Sequence, residues 1–177
     1  MKKLVAAAIV SCILLGSGAV FAQTEQRHGV SVTIPQLLMI RIAAGDSNDA
    51  VQNPADIVFA LQAGTFEPQG VNLHTNTPNW SDIRVFTNTA GWRVFVETEG
   101  GAAFAWNKIT VTPTNAAYSP FPLPLQAQAR VEVAAADART NGWLSLGIGP
   151  SSYVLTLTGD EVPATYTTTV VYTIAAF

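Results

Sequence analysis

The residues able to do chemistry in this chain are few: four tryptophans, two histidines, one cysteine and a thin scatter of carboxylates. His28 and His74 lie far apart, and neither has a second ligand at His-x-x-x-His or Cys-x-x-Cys spacing, so zinc chemistry is not expected. Ser, His and Asp all occur, but no Gly-x-Ser-x-Gly elbow is present, and co-occurrence alone does not make a triad. Gly45–Asp49 and Gly147–Pro150 match neither the dinucleotide fingerprint nor the phosphate loop. Asp46, Asn48 and Asp49 present closely spaced oxygens on a glycine-flanked loop, a composition calcium uses outside cells. That loop lacks the Gly and distal Glu of an EF-hand, and a solvated turn is the preferred reading. Glu97 and Glu99 form the one close carboxylate pair on a strand face. Glycoside hydrolysis needs two such groups, but on a strand edge like charges serve to discourage pairing with other chains. The expectation is a chain with no catalytic residues, no cofactor and no metal.

Trp80, Trp92, Trp106 and Trp143 would make a stacking platform for sugars if two or more shared an exposed surface. Trp92 falls in an alternating segment and reads as core, whereas Trp106 and Trp143 flank turns and read as caps. Trp80, within Pro78-Asn79-Trp80-Ser81, is the indole expected to be exposed and is the candidate ligand residue.

Period-2 alternation dominates the elements that must position these side chains. In Val30-Ser31-Val32-Thr33-Ile34 the apolar residues share one face of an extended ribbon and the hydroxyls the other, which predicts a half-buried strand. Pro35 marks a bend before Leu37–Ile42, whose continuous apolar character predicts cover on both faces. Further strands are predicted at Ile57–Leu61, Ile83–Thr87, Trp92–Glu97, Lys108–Thr112, Arg130–Ala134, Trp143–Leu146, Tyr153–Thr158 and Tyr166–Ile174, separated by Gly-, Asn- and Pro-rich turns. Gln126–Ala138 is alanine-rich enough for a short helix, but Arg130-Val131-Glu132-Val133 alternates, and strand is the reading adopted. Asn88-Thr89-Ala90-Gly91 predicts a hairpin, with Val85, Thr87, Trp92, Val94 and Val96 on one side and Arg84 and Arg93 on the other. The proline-alternating run Tyr118–Leu125 predicts a polyproline-like crossover without regular ladder bonds, its Phe and Leu side chains capping one end of the core.

The start of the chain, Met1-Lys2-Lys3 and an apolar run to Leu15, ends in Val20-Phe21-Ala22 with small residues placed for cleavage, as in a secretory signal peptide over residues 1–22. The run is too short to span a bilayer, which takes roughly 20 apolar residues. Ile9-Val10-Ser11-Cys12 looks like a lipobox, but ten signal-like residues follow it, so Cys12 reads as part of the signal. Removing 22 of 177 residues leaves 155, one ordinary domain over residues 23–177, with no cysteine and hence no disulfide. Without Lys2 and Lys3 the chain has 7 basic against 12 acidic side chains, a net charge of −5, and no basic cluster. That argues against nucleic acid or an anionic membrane as partner. About ten short strands without a long helix point to an all-β sandwich or barrel.

The run Val162-Pro163-Ala164-Thr165-Tyr166, followed by alternation to Phe177, resembles the final strand of secreted bacterial Ig-like surface modules, including pilin-like subunits and the WxL type of cell-wall domain. Asn88–Val96 is similar to their Asn-then-Trp strand. Pilin-like subunits usually carry a disulfide that this mature chain lacks, and Trp143-Leu144-Ser145-Leu146 is only a loose Trp-x-Leu match. The resemblance implies an Ig-like, two-sheet antiparallel β-sandwich of about 8–10 strands, completed by β-strand addition from a neighbour. The function expected is that of a non-catalytic structural or adhesive protein, secreted, periplasmic or on the cell surface of a bacterium. Its expected partners are other envelope or surface proteins, including copies of itself. The alternative is a carbohydrate-binding module that holds a glycan on exposed tryptophans such as Trp80.

Overall fold

The computed structural model describes residues 29–45, 48–61, 71–101, 104–125 and 129–177, and the chain divides into two units between Ile34 and Pro35. The segment read as a signal peptide, Cys12, His28 and Asp46 lie outside the described residues. In the first unit, residues 29–34 belong to no ladder, and Val30, Val32 and Ile34 are 79%, 76% and 74% exposed. The half-burial expected for this segment is therefore not found. Alternation gives a ribbon two chemically different faces, but burial needs a partner edge, which the pattern does not provide.

The second unit is all β. Its strands are β1 (Leu38–Ala43), β2 (Val71–Leu73), β3 (Asp82–Thr87), β4 (Trp92–Glu99), β5 (Ile109–Val111), β6 (Phe121–Pro122), β7 (Val131–Ala136), β8 (Leu144–Ser145), β9 (Tyr153–Thr156) and β10 (Thr169–Ala176). They form three antiparallel sheets, ordered β1-β3-β8, β10-β4-β7 and β2-β9-β5-β6, around one apolar cluster in the manner of a β-sandwich. Only two short 3-10 turns, Trp106–Lys108 and Pro150–Ser152, interrupt the strands of the described residues.

β4 forms the centre of its sheet because its sequence has two distinct faces. Trp92, Val94, Val96 and Thr98 are fully buried, while Arg93, Phe95, Glu97 and Glu99 point outward. The buried Thr98 hydroxyl donates to the Pro124 carbonyl at 3.1 Å, so no polar group is orphaned there. β3 buries Ile83, Val85 and Thr87 in the same way.

The predicted hairpin does not form. β3 pairs with β1 and β8, and β4 pairs with β10 and β7, so Asn88–Gly91 arches from one sheet to another. Both strands turn their apolar faces to the shared core from different sheets, an arrangement that gives the same in-and-out pattern as a hairpin. Thr87 Oγ1 accepts from the Thr89 amide at 3.0 Å, and Gly91 takes φ 68°, fixing the bend.

Ile57–Leu61 is not a strand; Val58 and Leu61 are exposed. The segment is tied to Thr75 and Asn76 largely through side chains, as in the Val58 amide donating to Asn76 Oδ1 at 2.9 Å. Val131–Ala136 is strand, with a register shift opposite Val94 and Phe95. In the proline run Phe121 and Leu123 are buried as expected, whereas Leu125 is exposed, and Phe121–Pro122 makes a brief pairing with β5 that the prolines did not suggest.

Candidate functional site

Trp80, the indole expected to stand exposed, is 8% exposed. Its Nε1 donates to the Ala55 carbonyl at 2.9 Å, and its ring packs edge-on against Tyr153. The loop 53–56 that covers it is drawn in by the amide side chains of Asn76 and Asn79, a local use of Asn that turn-rich sequence does not advertise. It touches a shallow cleft of about 260 Å³ with His74 and Asn76 but has little ring surface left for a sugar. Trp92 and Trp106 are buried as well, at 0% and 6%. Trp143 alone is half-buried.

The other candidates are engaged locally. His74 Nδ1 lies 2.8 Å from the Asn76 carbonyl. Asn48 Oδ1 accepts from Arg84, which is also paired with Asp82 at 3.0 Å. Glu97 meets Arg130 at 3.2 Å, and Glu99 is exposed at the end of β4. Among the described residues no three His, Cys, Asp or Glu side chains gather as a metal site would require, and no helix is long and apolar enough to cross a membrane.

The first site that geometry does single out is a sheet rim. β10 pairs with β4 along its whole length, Thr169 with Glu99 through Ala176 with Trp92. Its other edge has no ladder partner among the described residues. Val170, Tyr172 and Ile174 pack against the core yet stay half-buried, although their β4 partners Thr98, Val96 and Val94 are fully buried. β1 shows the same half-cover at Leu38, Ile40 and Ile42. It comes within 8 Å of β10 between Cα atoms without hydrogen-bonding to it as a strand. Such a rim presents unpaired backbone groups beside incompletely covered apolar side chains.

A second arrangement lies on the outer face of the β1-β3-β8 sheet. Arg41 and Arg84 stand directly opposite in the ladder, a like-charge pairing. Arg84 turns to Asp82 and Asn48, whereas Arg41 lies over the Trp143 ring, 3.2 Å from its centroid. Burial lowers the pKa of Arg41 from its ordinary value, with Asp49 acting in the opposite sense, and its Nε and Nη2 are buried without hydrogen-bond partners. Phe86 packs against the same indole at 5.7 Å. Beside it opens a cleft of about 320 Å³ whose lining includes Trp143, Arg139, Asn141 and Leu144.

Two polar clusters tie the fold together. Lys108 Nζ is held by Asp160, Glu161 and the Thr158 hydroxyl. Hydrogen bonds from Lys108 hold both carboxyls down at about 2, with help for Asp160 from Thr158 and for Glu161 from the Thr158 amide. Between sheets, the hydroxyls of Tyr153 and Tyr172 meet at 2.8 Å. Burial pushes Tyr153 up to about 12 and Tyr172 well above its ordinary value.

No family model, curated protein or solved structure matches this chain. Sequence reasoning missed the rim and the Arg41–Trp143 stack. Both depend on which strands are neighbours; the one available signal was that Arg41, Arg84 and Phe86 all fall on outward-facing strand positions.

Proposed function

We propose that this chain is a non-catalytic, exported structural or adhesive subunit that assembles by β-strand addition, with Val30–Ile34 of one copy pairing with the free edge of β10 in the next. The observation that carries this reading is the exposed stripe Val30, Val32 and Ile34, set at strand spacing and outside any ladder. It is complemented by the half-covered row Val170, Tyr172 and Ile174 on an edge without a ladder partner among the described residues. An added strand supplies main-chain hydrogen bonds along that edge and lays its apolar face over the row, leaving Ser31 and Thr33 outward. Two strands that flank a third stand about 9–10 Å apart, so β1 and β10, within 8 Å of each other, must separate slightly to admit it.

Magnitudes set the expected strength. Burying two valines and one isoleucine contributes roughly 5–8 kcal/mol, and ordering five backbone residues costs about 5–10 kcal/mol. The ladder bonds, each about 1 kcal/mol net, then decide the balance. Association is expected to be weak for one pair of copies and to strengthen when copies are held together on a surface.

Analytical ultracentrifugation of the full chain over a wide concentration range tests this, beside fractionation of the native cells. The wild type is expected to associate with rising concentration, the Val32→Asp variant to stay monomeric, and the protein to be recovered outside the cytoplasm. A chain that remains monomeric at every concentration and lies among cytoplasmic proteins would discard the proposal.

A further inference from the structure

The cleft beside Trp143 is independent of the strand-addition reading, and it is formed largely by a pinned loop. The loop joining β7 to β8 is pinned at two points. Trp92 Nε1 donates to the Ala138 carbonyl at 2.9 Å, and the Thr140 amide donates to the Thr87 carbonyl at 3.1 Å. The Thr87 amide in return donates to Thr140 Oγ1 at 2.9 Å. Arg139 and Asn141 lie on either side of Thr140, so their backbone is fixed while their side chains are exposed. Neither side chain has a hydrogen-bond partner among the described residues, and neither does Trp143 Nε1. By contrast, the indole N–H groups of Trp80 and Trp92 are spent on backbone carbonyls. The Trp143 ring is itself clamped by Arg41 and Phe86. The indole and the loop backbone are fixed in advance, so a ligand has only the exposed Arg139 and Asn141 side chains to order on binding.

We infer that this cleft binds a saccharide unit that carries a carboxylate, a uronic acid residue. A sugar ring has an apolar C–H side suited to an indole and an edge of hydroxyls suited to an amide and an N–H donor. The part of Trp143 that Arg41 and Phe86 leave uncovered lines the cleft and supplies the apolar contact. Its Nε1 and the Asn141 amide meet hydroxyls, and the Arg139 guanidinium takes the carboxylate through its planar fork. Arg41, stacked on the Trp143 ring, adds positive charge beside the cleft, with Asp49 acting against it, in a chain whose net charge is −3. Glu132, by hydrogen bond and charge, raises the pKa of Arg93, and Asp137, the nearest acid to Arg139 in sequence, adds to that effect. A volume of about 320 Å³ lies at the small end of the range for ligand clefts, roughly 300–1,000 Å³, and suits one or two sugar units rather than a long chain.

The test is a titration of the full chain with digalacturonic acid and, in parallel, with a neutral disaccharide, lactose, following the Trp143 indole N–H by nuclear magnetic resonance. Digalacturonic acid is expected to shift that resonance saturably with a dissociation constant of about 1 mM and to bind at least ten-fold more tightly than lactose. Arg139→Gln and Asn141→Ala change exposed side chains and leave the fold intact. Each is expected to weaken binding at least ten-fold, with Arg139→Lys restoring part of the loss. An indole signal unmoved by digalacturonic acid, equal affinity for lactose, or undiminished binding in both variants would each overturn the inference.

Discussion

At the scale of single residues, the most consequential are those whose surroundings leave no slack. Gly149 has extended backbone at φ −120°, so its conformation suits any residue, but a Cβ there would lie 2.3 Å from the Ser81 carbonyl oxygen. Gly149→Ala is therefore expected to destabilise the fold by about 3 kcal/mol, read as a lowered midpoint in urea. Lys108 gives a pH signature instead. Asp160 and Glu161 titrate at about 2, below their ordinary 3.8 and 4.5, so the folded chain holds fewer protons than the unfolded one across that interval. Their stabilising effect is complete above pH about 4.5 and is lost as pH falls toward 2. Lys108→Met is expected to lower Tm at neutral pH, with the difference from wild type shrinking as pH drops through this window.

At the scale of elements, the legible part of the fold was the face each strand buries. Trp92, Val94 and Val96 turn inward and Arg93 outward, as alternation required. What alternation does not encode is the neighbour: a hairpin and an arch place the same side chains inward, so Asn88–Gly91 was misread. The tryptophans fared alike. Trp80 is hidden because the side chains of Asn76 and Asn79 bring a distant loop over it, whereas Trp143 acquires Arg41 and Phe86 only through the β1-β3-β8 pairing. Contacts of this kind exist only after the strands have found one another. The Tyr153–Tyr172 bond between β9 and β10 offers a test of inter-sheet coupling. Tyr153→Phe and Tyr172→Phe are each expected to cost about 1–2 kcal/mol because the remaining hydroxyl loses its partner. The double variant should cost less than the two together, and thermal unfolding of all four proteins measures the difference. Because burial holds these phenols protonated, spectrophotometric titration of the folded wild type should show at least two tyrosines that do not ionise near pH 10.

At the scale of the whole molecule, the unsatisfied features fall at its rim and in the exposed segment before Pro35. Replacing Val30, Val32 and Ile34 together by serine is expected to leave the melting temperature of the β unit within a few degrees of wild type, since none of the three is buried. The same change should abolish self-association, and melting curves beside sedimentation profiles separate the two effects. The arch between β3 and β4 has a further consequence for how the chain acquires its shape. Both partners of β4 come later in the chain: β7 begins at Val131, and β10 runs from Thr169 to Ala176. Synthesised from its N-terminus, the polypeptide carries Trp92, Val94 and Val96 without their strand partners until β7 and then β10 emerge. Closure over such long sequence separations is slow, so this protein should need a holding chaperone during the interval when its greasiest ribbon waits for a mate.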